Sequence, residues 1–124
     1  MVAAAQRAGD LALGWFRPGE RTSAGIETKA GGSPVTEADH AADALLKEHL
    51  RALDPAAGWL SEETVDTPER LSCQRLFIVD PIDGTRAFMA GDPRWAVSVA
   101  LVADGLPLIG VLHLPALRQT FTAI

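Results

Sequence analysis

Three groups of acidic residues stand where apolar runs of this chain give out: Asp39 in "SPVTEAD", Glu62 and Glu63 in "LSEE", and Asp80 and Asp83 in "LFIVDPIDGT". Carboxylates gathered at the edge of an apolar core repel one another and lose hydration, so such a grouping calls for a cation or hydrogen-bond donors to offset it. A hard divalent cation answers that need. Because the donors are oxygens with no Cys/His cluster beside them, the ion they suit is Mg²⁺ rather than zinc.

The segment "DPIDGT" has the local chemistry of a ligand-binding corner. Pro81 fixes one backbone torsion and offers no N–H to a sheet ladder, so the strand "LFIVD" is expected to stop there and turn. The turn aims the carboxylates of Asp80 and Asp83 at one point, with the carbonyl of Ile82 beside them. Gly84 lets backbone come close to a ligand, and Thr85 opens a helix whose free N–H groups attract an anion. Each piece has an ordinary structural explanation as well: Asp80-Pro81 and Asp83-Gly84 are turn dipeptides, and Thr36-x-x-Asp39 is a capping box. It is the conjunction that points to a cation and a phosphate meeting at one corner. Glu62 and Glu63 are neighbours on an extended segment, so alternation sends their side chains to opposite faces and only one reaches a shared site.

Positioning these residues requires helices and a sheet, and the apolar periods supply both. Residues 2 to 16 carry Ala4, Ala5, Ala8, Leu11, Ala12 and Trp15 at helical spacing before Pro18 and Gly19. Thr36 caps a second helix, with Ala38, Ala41, Ala42, Leu45, Leu46, Leu50 and Leu53 as its apolar positions, that stops at Asp54-Pro55. The period then changes to that of strands: "GWLSEE", "LFIVD", "WAVSVALVA", "LPLIGVLHL" and "QTFTAI", with Asp104-Gly105 as a hairpin turn. The long runs are apolar on both faces, which predicts a sheet covered on each side by helices. The fold class expected is α+β: a layered sandwich of two N-terminal helices packed on a largely antiparallel sheet, one domain over residues 1 to 124.

Composition narrows the function classes. With 48% hydrophobic and 22% charged residues the chain is globular, and its net charge of -5 with scattered arginines leaves no basic stripe for a polymeric nucleic acid. No segment has the apolar length of a membrane span, and the single cysteine, Cys73, fits a reducing, cytoplasmic compartment. His40, His49 and His113 read as surface or satisfied residues rather than ligands, and Trp15, Trp59 and Trp95 as packing.

Taken in order, the blocks "SPVTEAD" (33 to 39), "LSEE" (60 to 63), "VDPIDGT" (79 to 85) and "WAVSVALV" (95 to 102) resemble the inositol monophosphatase superfamily of Mg²⁺-dependent, lithium-sensitive phosphatases. The resemblance implies that Glu62, Asp80 and the carbonyl of Ile82 hold one metal ion and that Asp80 and Asp83 hold a second. It implies that Gly84 and Thr85 offer backbone N–H groups to the phosphate of a small metabolite, and that Thr85 paired with Asp39, together with Glu62, orients the attacking water. Lys29 matches a lysine of a mobile loop near the substrate. The reaction implied is in-line hydrolysis without a phosphoenzyme, at two ions about 4 Å apart.

Members of that superfamily are longer and carry a further metal-binding aspartate directly after a tryptophan, whereas the tryptophans here precede Phe16, Leu60 and Ala96. The chain is therefore expected to be the N-terminal part of that fold, with the C-terminal half absent and little catalysis of its own. "LSEE" and "KAGGSPVT" are similar to the bacterial 3'(2'),5'-bisphosphate nucleotidase (CysQ-like) branch, with inositol 1-phosphate and histidinol phosphate as alternative substrates. The haloacid-dehalogenase phosphatases end a strand in Asp-x-Asp-Gly-Thr, but here the two aspartates are three apart with proline between. A reading of another class is a non-catalytic remnant that binds metal or a partner chain, and an unpaired strand edge would favour a homodimer.

Overall fold

A computed structural model describes all 124 residues of the chain. Helix α1 (Val2–Leu13) is shorter than its apolar period allows. The expected continuation to Phe16 breaks at Gly14, a weak helix former, whose N–H turns back to the Leu11 carbonyl. Strands β1 (Ile26–Thr28) and β2 (Pro34–Thr36) pair as an antiparallel ribbon. Helix α2 (Glu37–Leu53) then starts where its cap was expected. The Thr36 hydroxyl accepts the N–H groups of Ala38 and Asp39, while the Asp39 carboxylate accepts the Thr36 N–H, closing a capping box.

The main sheet contains β3 (Gly58–Ser61), β4 (Arg75–Asp83), β5 (Ala96–Ala103), β6 (Leu106–Leu114) and β7 (Gln119–Ala123), side by side in that order. β3 runs parallel to β4, and every other pairing is antiparallel. A short helix, α3 (Thr85–Ala90), follows β4. The turn between β5 and β6 places Asp104 and Gly105 both at positive φ, 50° and 79°, as a two-residue hairpin requires. The class is α+β, as expected.

Two expectations fail, for separate reasons. β4 does not stop at Asp80: its pairing with β5 runs on to Asp83 opposite Ala96, through a register shift between Asp80 and Asp83. The bulge gives Pro81, which has no N–H to contribute, a place within the strand, and it buries Pro81 and Ile82. The sheet is also covered on one face only within this chain. α1 and α2 pack on each other through Ala5, Ala8 and Ala42, all without exposed surface, and both lie over Phe77, Val79, Val97, Val99 and Val111. With both helices on one side, Ile78, Leu112 and Phe121 on the opposite face stay exposed.

Leu46 and Leu50 of α2 are fully enclosed in this layer, each worth about 1.5–3 kcal/mol of burial. A second, smaller core of Phe16, Ile82, Phe88 and Trp95 lies under α3, with Phe88 and Trp95 edge to face at 4.9 Å. That second core anchors the bulge from below.

Candidate active site

The bulge, the end of β3 and the β1–β2 ribbon enclose a polar hollow of about 250 Å³. Lys29, Glu62, Asp80, Ile82, Asp83, Gly84 and Thr85, the residues singled out in the sequence, all border it. Asp39 lies beneath, without exposed surface, and accepts a hydrogen bond from the Thr85 hydroxyl at 3.1 Å. The same hydroxyl lies 3.0 Å from the Ile82 carbonyl, so one proton is shared between a carboxylate and the backbone of the bulge.

The parallel pairing of β3 with β4 explains how Glu62 reaches Asp80. Ser61 stands opposite Val79, and the next rung continues the ladder, with the Glu62 N–H bonded to the Val79 carbonyl at 3.1 Å. Both strands end at the same edge, each delivering a carboxylate. Glu63 departs from the expected alternation. The chain leaves the strand at Ser61 and turns, so Glu62 and Glu63 both border the hollow. They are still divided in role: Glu62 lies within proton-sharing reach of Asp80, while the Glu63 side chain, only 3% exposed, is bonded to the Lys29 ammonium at 2.9 Å.

Electrostatics single out Asp80. Burial first, then a shared hydrogen bond with Glu62 and the charges of Glu62, Asp83 and Glu63, push its carboxyl up to about 8. Its Oδ1 is enclosed and has no hydrogen-bond partner. Burial works to lower the Lys29 ammonium, but the Glu63 hydrogen bond and the charges of Glu63, Glu62 and Asp39 outweigh it and raise the group above its ordinary value.

An orphaned, buried carboxylate oxygen among like charges is what a divalent cation satisfies, and the donors present are oxygens of the type Mg²⁺ takes. Asp80, Glu62, Asp83 and the Ile82 carbonyl fit such an ion in kind, with Asp80 half-buried, Ile82 buried, and Glu62 and Asp83 exposed. No three of the acidic, histidine or cysteine side chains are drawn together at metal-binding spacing. Gly84 completes the corner at φ 91°, a conformation that glycine adopts without strain, and a Cβ there would come within 3.0 Å of the Arg94 carbonyl.

Sequence reasoning missed Glu63 as the partner of Lys29, and it missed Asp43, a buried carboxylate one turn after Asp39 on α2. The i, i+4 spacing of two acids on a face otherwise made of alanine and leucine was the available signal. The histidines stand as expected: His113 is buried against Thr120 and His49 bonds the Leu45 carbonyl.

A capped helix thus lies beneath a bulged strand, with carboxylates at the ends of two parallel strands and a glycine-threonine corner beside them. The chain belongs to the inositol monophosphatase family, whose model matches residues 1–124. It is 38% identical over 119 residues to a histidinol-phosphatase of Chlorobaculum parvum, covering 96% of this chain and 44% of that protein. To the 3'(2'),5'-bisphosphate nucleotidase CysQ of Aggregatibacter actinomycetemcomitans it is 35% identical, covering 100% of this chain and 45% of that one. The solved extragenic suppressor protein suhB of Bartonella henselae superposes with a TM-score of 0.89 at 35% identity, over 99% of this chain and 46% of its own. The chain thus spans about half the length of the relatives it matches. No helix is long and apolar enough to cross a membrane.

Proposed function

We propose that this chain carries the cation- and phosphate-handling corner of a Mg²⁺-dependent phosphatase for small phosphorylated metabolites, with a 3'(2'),5'-bisphosphate nucleotide as substrate. The observation that carries this reading is the enclosed, unpartnered Oδ1 of Asp80 beside Glu62. Glu62, Asp80 and the Ile82 carbonyl would hold one ion, and Asp80 with Asp83 a second. Bound there, Mg²⁺ supplies the positive charge that acidifies a water and neutralises a leaving oxygen.

The chain's own groups do the rest. The N–H groups of Gly84 and Thr85, at the start of α3, would donate to a phosphate oxygen, and Gly84 supplies the left-handed backbone, φ 91°, from which the helix starts. The Asp39 carboxylate, held by Thr36, keeps the Thr85 hydroxyl proton turned inward, so that the hydroxyl oxygen is left to accept from the attacking water together with Glu62. Lys29, kept protonated by Glu63, adds a positive charge at the mouth. The free thiol of Cys73 fits a reducing, cytoplasmic setting.

The histidinol-phosphatase of Chlorobaculum parvum, 38% identical to this chain against 35% for the nucleotidase, favours histidinol phosphate as the second reading. The test is Mg²⁺-dependent phosphate release from adenosine 3',5'-bisphosphate, histidinol phosphate and inositol 1-phosphate, with Asp80→Asn as control. Release that needs Mg²⁺, is lost in the variant and is fastest from the bisphosphate supports the proposal. Fastest release from histidinol phosphate transfers the assignment. Equal inactivity of two folded proteins leaves the non-catalytic, metal-binding remnant.

A further inference from the structure

Asp43 is buried in α2 and does not border the hollow; its carboxylate is taken up by two hydroxyls. Its Oδ1 accepts a short hydrogen bond from Ser61 Oγ, and its Oδ2 accepts one from Thr64 Oγ1 at 2.7 Å. Each hydroxyl, its proton committed to Asp43, keeps lone pairs to accept with. Ser61 Oγ accepts the Glu63 N–H at 3.2 Å, and Thr64 Oγ1 accepts the indole N–H of Trp59, also at 3.2 Å.

Ser61 and Thr64 are the residues on either side of Glu62-Glu63. One carboxylate on a rigid helix therefore grips both ends of the two-residue segment that carries the acidic pair. The segment needs such a grip, because β3 is a four-residue edge strand and the chain turns away directly after it. Edge segments followed by turns are the parts of a fold that open most readily. Asp39, one turn earlier on the same helix, holds Thr85. α2 is thus a single rail to which both halves of the corner are fixed, one by each aspartate.

We infer that Asp43 is a positioning residue for the cation: by holding Ser61 and Thr64 it aims Glu62 at Asp80 and sets the affinity of the corner for Mg²⁺ without touching the ion. The inference rests on the reading of Glu62 and Asp80 as metal donors. Groups that orient metal-binding side chains change metal affinity about 10–100-fold when they are removed.

The experiment is calorimetric titration of Mg²⁺ into the chain and into Ser61→Ala, Thr64→Val, Thr64→Ser and Asp43→Asn, with urea unfolding of each. Ser61→Ala and Thr64→Val are expected to weaken Mg²⁺ binding about 10-fold each, and Thr64→Ser, which restores the hydroxyl, to bind like the parent. Asp43→Asn and the Ser61→Ala/Thr64→Val double variant are expected to match each other, since they dismantle one device. Should Asp43→Asn fail to fold, the hydroxyl variants carry the test alone. If the parent binds no Mg²⁺, the reading of the corner and the inference fall together. If the parent binds and the hydroxyl variants bind equally well while losing stability, the inference alone is overturned and the grip is structural only.

Discussion

Asp39 and Asp80 are both carboxylates sunk at the rim of the core, one beneath the hollow and one bordering it, and their surroundings could hardly differ more. Asp39 is fully enclosed, and each of its oxygens is used: Oδ2 accepts the Thr36 N–H at 2.8 Å and the Thr36 hydroxyl at 2.6 Å, and Oδ1 accepts the Thr85 hydroxyl. Asp80 faces Glu62, Asp83 and Glu63, and its enclosed Oδ1 accepts nothing. The pair separates two uses of a buried charge. A carboxylate whose bonds are all supplied by its own fold is scaffold, whereas one left short of partners among like charges is a place where something else belongs.

The comparison breaks first at the metal. Asp80→Asn is expected to weaken Mg²⁺ binding by on the order of 100-fold or more, read by calorimetry, because it removes the donor common to both proposed ions. Asp39→Ala should act on stability instead. It strands the Thr36 N–H and frees both threonine hydroxyls, at an expected loss of about 2–3 kcal/mol in urea unfolding.

The pH dependence sharpens the contrast. In the metal-free folded chain Asp80 keeps its proton up to about 8, whereas in the unfolded chain it releases it near the ordinary carboxylate value of about 3.9. Between those limits the folded state binds more protons than the unfolded one. This contribution is therefore most favourable on the acid side, declines as pH rises through the window, and levels off above about 8. Urea midpoints at pH 5 and pH 8 should show the decline in the parent, less of it with Mg²⁺ present, and none of it in Asp80→Asn. Smallest is the cap: Thr36→Ala should cost about 1 kcal/mol, with Mg²⁺ affinity nearly unchanged.

Local chemistry explains how much of this was legible in the sequence. Thr36, Asp39 and the α2 period are near-neighbour signals, and so is the Asp104-Gly105 turn; all four appear in the structure, except that Leu53 at the end of the α2 period is exposed. Pro81 was read correctly as unable to feed a ladder, but not as accommodated by a bulge, since bulging depends on the partner strand β5 rather than on Pro81 itself. The apolar runs at Ile78, Leu112 and Phe121 gave the burial they are suited to, not the burial they receive inside this chain. Of the site, the residues that border the hollow were legible as types at spacings. The Lys29–Glu63 pair and the Asp43 grip were not, because they join segments far apart in sequence; the i, i+4 spacing of Asp39 and Asp43 marks a helix face but not the hydroxyls it meets.

One feature of the sheet bears on how the molecule comes into being. The β5–β6 hairpin closes through a two-residue turn and is a fast, local event, whereas β3 pairs with β4 in parallel and Thr85 meets Asp39 across 46 residues of sequence. Parallel and distant contacts pay their loop-closure entropy before any reward arrives, so they form late on the folding route. The acidic corner exists only once that route is complete. Mg²⁺ should therefore slow unfolding and leave the folding rate almost untouched, which makes the ion a kinetic lock on a finished structure rather than a nucleus for building one.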